Sequence, residues 1–296
     1  MTTLGFVGLG HMGGNMAARL LAAGYTVYGE SRDRRHAQTL VGEGLRWRDT
    51  PREIAASADV LFTSLPDDDA VESVASGTDG ILAGLAEPKI WVDMSTVSPD
   101  ASRELARRVH SRGAALLDAP VSGSVPQVRA GTLAIMVGGD ERAYALVEPI
   151  LSELGTPTHI GENGQGLVLK LAINISLAVQ MLAFAEGLLL AERAGVDRER
   201  AVDVMTQSAI ASPMLKARAE LVLDLPDEAW FDVGLMQKDV VLALDTARRL
   251  RVPLPSAAAA DELLTLARGL GYERRDIAAL FEVLAQLNGE PIRPLA

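Results

Sequence analysis

The chain has 296 residues, of which 48% are hydrophobic and 23% are charged, and 39 acidic against 28 basic side chains give a formal net charge of -11. This composition excludes intrinsic disorder and a collagen-like repeat, and the length suits one large domain or two of ordinary size. The acidic balance argues against general binding to nucleic acid or to anionic membranes, because such proteins neutralise phosphates with clustered Lys and Arg. The sequence has no cysteine, which excludes disulfides and Cys-ligated metals. No basic leader precedes the first apolar run, so we expect a cytoplasmic location.

The first half of the chain alternates short apolar runs with amphipathic stretches, joined by glycine, proline or aspartate. Such alternation is typical of parallel strands linked by crossover helices. Six strands are predicted, at residues 4–8, 26–30, 60–64, 90–93, 115–118 and 133–137. They fit an α/β domain with one doubly wound sheet of the Rossmann type.

From about residue 162 onward the pattern predicts only helices. Their predicted ranges are 164–194, 198–208, 214–221, 233–250, 255–270 and 277–285. We therefore predict a dinucleotide-binding domain over residues 1–161, followed by an all-α domain over residues 162–296 that serves the substrate and dimerisation.

The stretch 163–193 predicts one long central helix that is apolar on nearly all faces. A membrane span is the alternative, but Lys170, Asn174, Gln180 and Glu186 interrupt the run, and a span needs about 20 nearly uncharged residues. A helix buried between domains or subunits explains the same pattern. It also predicts self-association, as a homodimer or a homotetramer.

A GxGxxG motif directly follows the first predicted strand, where the chain reads Gly8-Leu9-Gly10-His11-Met12-Gly13. In such a motif the first glycine permits a tight turn, the second lets a pyrophosphate approach the backbone, and the third packs helix on strand. The N-terminus of the following helix supplies N–H groups and the positive end of its dipole. We therefore predict dinucleotide binding, with a ligand-free glycine turn as the alternative.

The residues after the second strand bear on the choice between NAD and NADP. An acidic side chain at the discriminating position accepts a hydrogen bond from the 2′-hydroxyl of NAD and repels the extra phosphate of NADP. If Ser31 holds that position, its hydroxyl and the Arg32 guanidinium suit a phosphate. If Glu30 holds the discriminating position, the sequence favours NAD instead. A shift of one residue in the register of the second strand decides between Ser31 and Glu30.

Two further segments carry polar groups suited to chemistry. Residues 118–124 follow a predicted strand and are rich in small side chains, which suits a loop that presents N–H groups and a hydroxyl to a carboxylate. Lys170 and Asn174 lie four residues apart and therefore on one face of the long helix. Only four lysines occur in the chain, so a lysine among apolar residues predicts either a side chain that reaches solvent or a functional group. The four histidines show no metal-ligand spacing, so no metal site is predicted.

Taken together, these segments resemble the β-hydroxyacid dehydrogenase family, which includes 3-hydroxyisobutyrate dehydrogenase and tartronate semialdehyde reductase. The resemblance covers essentially the whole chain, in the family's order and spacing. Its matching segments are GFVGLGHMG at 5–13, SLP at 64–66, DMST at 93–96, DAPVSGS at 118–124, GQGLVLKLAIN at 164–174 and LMQKD at 235–239. One departure is Ser124, where the family usually has glycine, and it adds a side chain beside the expected carboxylate site.

The resemblance implies cofactor-binding roles for the first three matching segments. The residues that would cradle the pyrophosphate are Gly8, Gly10, His11, Met12 and Gly13. Leu65 and Pro66 would line the adenosine side, and Thr96 would lie near the nicotinamide ribose. Members that prefer NADP often carry a small polar residue followed by arginine, so the Ser31-Arg32 pair implies that NADP(H) is preferred and NAD(H) is possible.

The later segments imply the substrate site. Ser122 and Gly123 would bind the substrate carboxylate, with Ser122 counted among the catalytic groups. Lys170 would be the catalytic acid/base, and Asn174 would orient the substrate and the lysine. Lys238 would reach the cofactor next to the substrate pocket.

The activity implied is hydride transfer between the nicotinamide and a small 3-hydroxy acid or its semialdehyde, with the small carboxylic acid as partner. An imine reductase of the same fold is one alternative, although such enzymes usually lack the catalytic lysine. A non-catalytic cofactor-binding relative is the other. The presence of Lys170 disfavours both alternatives.

Overall fold

The computed structural model of the chain describes residues 2–86 and 88–289, with His36 described by its backbone only. The chain divides into two compact units that meet in sequence between Lys170 and Leu171. We call the first the sheet unit and the second the helical unit. The boundary predicted after residue 161 falls at the end of the last strand, whereas the sheet unit also includes residues 162–170.

The sheet unit contains one nine-stranded sheet within the described residues. Its strands are β1 (Thr3–Val7), β2 (Thr26–Glu30), β3 (Arg46–Trp47), β4 (Val60–Thr63), β5 (Ile90–Asp93), β6 (Ala115–Asp118), β7 (Val121–Ser122), β8 (Leu133–Gly139) and β9 (Gly155–Gly161). The spatial order is β3-β2-β1-β4-β5-β6-β8-β7, and β9 pairs with β8. Strands β1 to β6 pair in parallel, whereas β8 is antiparallel to β6 and β7 and parallel to β9.

All six predicted strands are present, but the expectation that they are parallel was wrong for the sixth, β8, which is antiparallel to β6. Three further strands, β3, β7 and β9, also belong to the sheet. Strands β3 and β7 have only two residues each, too few for a periodic signal. Strand β9 contains Pro157 between glycines, which is a pattern typical of a turn. Proline is tolerated there because β9 lies at an edge of the sheet.

Helices pack on both faces of the sheet. They are α1 (His11–Ala22), α2 (Gln38–Gly42), α3 (Pro51–Ser57), α4 (Asp68–Ala75), α5 (Ile81–Gly84), α6 (Pro99–His110), α7 (Val125–Ala130) and α8 (Glu141–Leu151). Because side chains alternate along a strand, the sheet has a core on each face. Phe6 and Phe62 stack in one core, at 5.8 Å between ring centroids, and Trp91 and Leu167 lie in the other.

The helical unit contains helices and short 3₁₀ turns, and no strand occurs in its described residues, 171–289. Counting the long helix shared with the sheet unit, its helices are α9 (Gln165–Arg193), α10 (Arg198–Gln207), α11 (Pro213–Arg218), α12 (Val233–Leu250), α13 (Pro255–Gly269) and α14 (Leu280–Leu287). This arrangement confirms the predicted fold class, an α/β sheet domain followed by an all-α domain with one long helix.

Helix α9 is long and apolar enough to cross a membrane, by length and composition only. Its apolar residues nevertheless have partners within each unit. Leu167 is fully buried in a core of the sheet unit, while Met181, Phe184 and Leu188 are buried in the core of the helical unit. Core packing therefore accounts for part of the composition of this helix, in whose apolar 18-residue window 39% of the residues are buried.

Candidate active site

The last residues of five neighbouring strands form one row across the sheet. In β-pairing register, Val7 of β1 lies opposite Glu30 of β2 and Thr63 of β4, Thr63 lies opposite Asp93 of β5, and Asp93 lies opposite Asp118 of β6. The loops that follow these strands therefore begin at the same edge of the sheet. Ligands of open α/β sheets bind at this carboxyl edge. The row brings together the starts of the loops that carry Gly8, Ser31, Leu65, Thr96 and Ser122.

Steric limits explain two of the three glycines of the GxGxxG motif, Gly8 before α1 and Gly13 in its first turn. Gly8 has a φ of +92°, and a Cβ atom there would lie 2.4 Å from the carbonyl oxygen of Ser64. A Cβ on Gly13 would lie 2.0 Å from the carbonyl oxygen of Gly8. Any larger residue would therefore displace the backbone of the turn.

Gly10 differs from Gly8 and Gly13 because, apart from Gly10 itself and the residues on either side of it, no described residue has a heavy atom within 4 Å of the position its Cβ would take. Packing within the chain therefore does not require glycine here, whereas close approach of a ligand to the backbone does. Gly10 is the N-cap residue of α1, and the first turn of that helix carries no acidic side chain. The N–H groups and positive dipole end of α1 thus suit a pyrophosphate. These features fit a dinucleotide.

The end of β2 is built around Glu30, whose carbonyl oxygen accepts a hydrogen bond from the N–H of Gly8 at 3.1 Å. Ser31 is the first residue beyond the strand and is half-buried, and Arg32 is exposed. Burial raises the pKa of the Glu30 carboxyl, and the charge of Arg32 opposes that shift. The Arg35 guanidinium is occupied by Asp33, which it contacts at 2.7 Å.

The loops after β4 and β5 are joined by hydrogen bonds around the Asp93 carboxylate. Oδ1 of Asp93 accepts from Thr63 Oγ1 at 2.7 Å and from the N–H of Ser95 at 3.1 Å. The Ser95 hydroxyl in turn accepts from the N–H of Leu65 at 2.9 Å. Asp93 therefore connects the loop that carries Leu65 with the loop that carries Thr96. Burial raises the pKa of Asp93, and the nearby Asp118 charge adds to that shift.

The segment after β6 is only partly a loop. Val121 and Ser122 form β7, in register with Ile135 and Ala134 of β8, so the expectation of an irregular loop was wrong at these two residues. Gly123 follows with a φ of +136°, which a residue with a side chain adopts only under strain.

Ser124 is the N-cap residue of α7, and its N–H donates to Gln127 Oε1 at 2.9 Å. Serine is a favoured residue at the start of a helix. Glycine would supply the same backbone N–H, so this hydrogen bond does not by itself explain the serine in place of the family glycine.

Helix α9 starts against the Asp118 carboxylate. Asp118 is fully buried, and it accepts hydrogen bonds from the N–H of Gly164 at 2.6 Å and from the N–H of Leu167 at 3.2 Å. Burial raises the pKa of Asp118, and these backbone hydrogen bonds oppose the shift. Lys170 follows on the same helix and is half-buried, and the buried Asn174 lies one turn further.

In the helical unit, Asn174 is held by a residue of α12. Asn174 Nδ2 donates to Asp239 Oδ2 at 2.5 Å, and Lys238 Nζ lies 2.9 Å from Asp239 Oδ1. The Asp239 side chain is only 3% exposed. This carboxylate therefore joins two predicted site residues.

Sequence reasoning missed the roles of Asp93, Asp118 and Asp239. A signal existed for Asp239, since it is the only acidic residue between Val233 and Leu244 and lies next to Lys238. Within residues 2–86 and 88–289, no group of three or more His, Asp or Glu side chains is arranged to hold a metal ion.

The fold and the cradle define the class, a Rossmann-type protein that binds a dinucleotide. Two family models match the chain. One, described as the NAD binding domain of 6-phosphogluconate dehydrogenase, covers residues 3–164. The other, described as NAD-binding of NADP-dependent 3-hydroxyisobutyrate dehydrogenase, covers residues 164–284. The chain belongs to the β-hydroxyacid dehydrogenase family, as its motifs predicted.

Relatives and solved structures agree with this assignment. The 2-hydroxy-3-oxopropionate reductase of Escherichia coli is 36% identical over 286 residues, which are 95% of this chain and 96% of that protein. The structure of 3-hydroxyisobutyrate dehydrogenase from Mycobacterium tuberculosis with L-serine has a TM-score of 0.82 at 32% identity, over 96% of this chain and 99% of that one. The structure of Psf3 with NADP+ and 2-OPP has a TM-score of 0.87 at 29% identity, over 95% of this chain and 100% of that one.

Imine reductases share the fold at greater distance. The enzyme from Pseudomonas sp. has a TM-score of 0.63 at 24% identity, over 96% of this chain and 99% of that one. This likeness concerns the fold alone.

Proposed function

We propose that this protein transfers hydride between a nicotinamide dinucleotide and a small 3-hydroxy acid or the matching semialdehyde. The observation that carries the proposal is Lys170, a rare lysine on the helix that starts at the Asp118 carboxylate, in a chain that also holds the pyrophosphate cradle. Relatives that act on small hydroxy acids or their aldehydes match nearly the whole chain. They support the same substrate class here.

Oxidation of the substrate removes a proton from the hydroxyl oxygen and a hydride from the carbon that bears it. When bound, the nicotinamide supplies the hydride acceptor. We assign the proton to Lys170 Nζ, which must be neutral to accept it and protonated to return it in the reduction direction. The N–H groups and hydroxyl at Ser122 and Gly123 bind the carboxylate, and Asn174 orients the substrate hydroxyl.

Removal of the Lys170 amine tests the assignment. With the best substrate from a panel of small 3-hydroxy acids and semialdehydes, Lys170→Ala is expected to lower kcat by at least about 100-fold, the usual scale for loss of a general acid/base. Titration with NADPH, followed by fluorescence, is expected to give nearly the wild-type Kd. Lys170→Arg is expected to remain inactive, because guanidinium stays protonated at any working pH.

A matched control is Lys216→Ala, which removes an exposed lysine from α11. It is expected to keep wild-type turnover. A Lys170→Ala enzyme that retained most of its turnover would remove this residue from the mechanism and favour the imine reductase alternative, which an assay with cyclic imines would then examine.

We further propose that NADP(H) is the preferred cofactor and that NAD(H) is a poorer one. The support is Ser31 as the first residue after β2, followed by the exposed Arg32. Ser31→Asp is expected to move the ratio of kcat/KM for NADP over NAD toward NAD by about 10-fold or more, because a carboxylate repels the 2′-phosphate.

The matched variant for this test is Glu30→Gln, which neutralises the neighbouring carboxylate. It is expected to change the cofactor ratio by less than about 3-fold, a difference under 1 kcal/mol. If Glu30→Gln shifts the ratio and Ser31→Asp does not, Glu30 is the residue that reads the ribose. A wild-type preference for NAD would contradict the proposal.

Self-association is also proposed, as a homodimer or homotetramer. In the helical unit, Leu190, Val204 and Ile210 have 74%, 69% and 77% of their surface exposed. A second copy of the chain would cover such apolar side chains. Light scattering at micromolar concentration is expected to give at least twice the 31.4 kDa chain mass. A monomer under these conditions would contradict this proposal.

A further inference from the structure

The residue directly before helix α9 is Gly164, which has a φ of +85° and no side chain that could cap the helix. No acidic residue lies in the first turn of α9. The first N–H groups of a helix have no intrahelical acceptor, and an uncapped helix end inside a protein is costly. The acceptor must therefore come from elsewhere in the chain.

Asp118 supplies that acceptor from a position 46 residues earlier in the sequence than Gly164. Its Oδ1 accepts from the N–H of Gly164 at 2.6 Å, and its Oδ2 accepts from the N–H of Leu167 at 3.2 Å. Asn163 Nδ2 lies 3.4 Å from Oδ1 and also donates to the carbonyl oxygen of Leu116 at 2.9 Å. The carboxylate thus takes the place of an N-cap side chain and lies at the positive end of the helix dipole.

Two glycine backbones approach the Asp118 carboxylate closely. A Cβ on Gly138 would lie 2.7 Å from Asp118 Oδ2, and a Cβ on Gly166 would lie 2.9 Å from the same atom. The backbones of β8 and α9 therefore approach the carboxylate as closely as glycine permits. The start of α9 is therefore in direct contact with the carboxylate at the end of β6.

The segments that follow the two sides of this contact, after Asp118 and after Leu167, carry the proposed catalytic groups. Ser122 and Gly123 follow Asp118 by four and five residues, and Lys170 follows Leu167 by three. We propose that Asp118 is a positioning residue, which fixes the proton-transfer lysine relative to the carboxylate-binding segment by capping α9. The proposal rests on the proposed function of Lys170, Ser122 and Gly123.

The neighbouring carboxylate of Asp93 provides a matched comparison. It lies in register with Asp118 on the next strand and is also buried, but it bonds to Thr63 at the end of β4 and to Ser95 in the loop after β5, beside the residues assigned to the cofactor. Loss of its charge is therefore expected to affect a different property. Asn in place of Asp118 keeps the shape but turns one oxygen into a donor that opposes a backbone N–H, because each Asp118 oxygen accepts from one. Asn in place of Asp93 removes the charge but can keep an oxygen toward Thr63 and Ser95, since both of these donate to Oδ1.

The experiment compares Asp118→Asn with Asp93→Asn, using the best substrate of the wild-type enzyme. Asp118→Asn is expected to lower kcat by about 10-fold or more, since misplacement by about 1 Å can cost 100-fold, with the NADPH Kd within about 3-fold of wild type. Asp93→Asn is expected to show its main effect in the NADPH Kd. Wild-type kcat in Asp118→Asn, or equal loss of NADPH binding in both variants, would overturn the proposal.

Hydrogen exchange gives a readout that does not depend on turnover. In Asp118→Asn the amides of residues 164–170 are expected to exchange at least about 10-fold faster, while those of residues 181–188 keep the wild-type rate. Unchanged exchange at 164–170 would show that Asp118 does not cap the helix and would overturn the proposal. A wild-type chain without turnover on the substrate panel would instead contradict the proposed function and leave this result intact.

Asn163→Ala is the milder variant, in case Asp118→Asn fails to fold. It removes one donor to the carboxylate and leaves both backbone hydrogen bonds in place. A kcat reduced by a few fold, with faster exchange confined to residues 162–170, is expected. Wild-type values for both quantities would contradict the proposal.

Discussion

The two units of this protein treat their buried carboxylates differently. In the sheet unit, Asp93 and Asp118 accept hydrogen bonds from backbone N–H groups, a hydroxyl and an amide, and neither forms an ion pair within the described part of the chain. In the helical unit, Asp276 contacts Arg218 Nη1 at 2.7 Å and Asp239 contacts Lys238 Nζ at 2.9 Å.

This difference follows from what each unit must hold in place. Loops after strands expose backbone N–H groups, so a carboxylate at a strand end can organise them without a cation. Helices leave few such groups except at their first turns, so a buried carboxylate between helices is usually paired with a cation. The buried carboxylates of the sheet unit therefore act without a cation, whereas Asp276 and Asp239 of the helical unit are each paired with one, and three measurements test this contrast.

The largest expected effect is on stability of the helical unit. Asp276 is fully buried and accepts from Arg218, from the N–H of Trp230 and from the N–H of Phe231. Asp276→Ala leaves the buried Arg218 charge without this partner and is expected to lower the free energy of unfolding by about 3–5 kcal/mol. Urea denaturation measures it. The exposed Asp227, which lies 3.4 Å from Arg275, is the control, and Asp227→Ala is expected to cost less than about 1 kcal/mol.

A smaller effect is expected at Asp239. Asp239→Ala removes an acceptor from the buried Asn174 amide and the ion pair of Lys238, for a loss of about 1–3 kcal/mol in the free energy of unfolding. Asp239→Asn keeps one oxygen for Asn174 and is expected to lose about half as much. Equal losses for the two variants would show that the charge, not the hydrogen bond, matters here.

The smallest effect is a pH dependence in the sheet unit. Burial raises the pKa of Asp93 in the folded protein above its unfolded value, so the folded state binds this proton more tightly. The stabilisation from protonated Asp93 is present at acid pH and lost as pH rises through the folded pKa. The free energy of unfolding of wild type relative to Asp93→Asn is therefore expected to fall with rising pH, by up to about 1.4 kcal/mol per unit. Urea denaturation over a pH series measures this difference, and a rise with pH would contradict the assignment.

Much of the sheet unit follows from its sequence. Apolar runs separated by turn residues predicted six strands, and the GxGxxG motif predicted the glycine turn before α1 because both signals are local. Short strands such as β7 and the proline-containing β9 depend on a neighbour that pairs with them, so their own residues carry no clear signal.

The site residues show the same difference between local and long-range signals. Lys170 and Asn174 could be placed on one helix face from their spacing alone. The contact of Asp118 with Gly164 spans 46 residues and that of Asn174 with Asp239 spans 65, and no local pattern specifies either partner. Long-range hydrogen bonds of this kind require the packed fold to bring the two segments together.

The start of α9 within the sheet unit has a consequence for protein engineering. A chimaera that combines the dinucleotide-binding half of this chain with the helical half of a relative needs its splice point after Lys170. A splice after Gly161 would replace Gly164 and Leu167 by foreign residues, together with Gly166, whose missing side chain leaves space for Asp118. The native junction retains all of these residues, so exchange of substrate specificity between relatives is best attempted from within the helix.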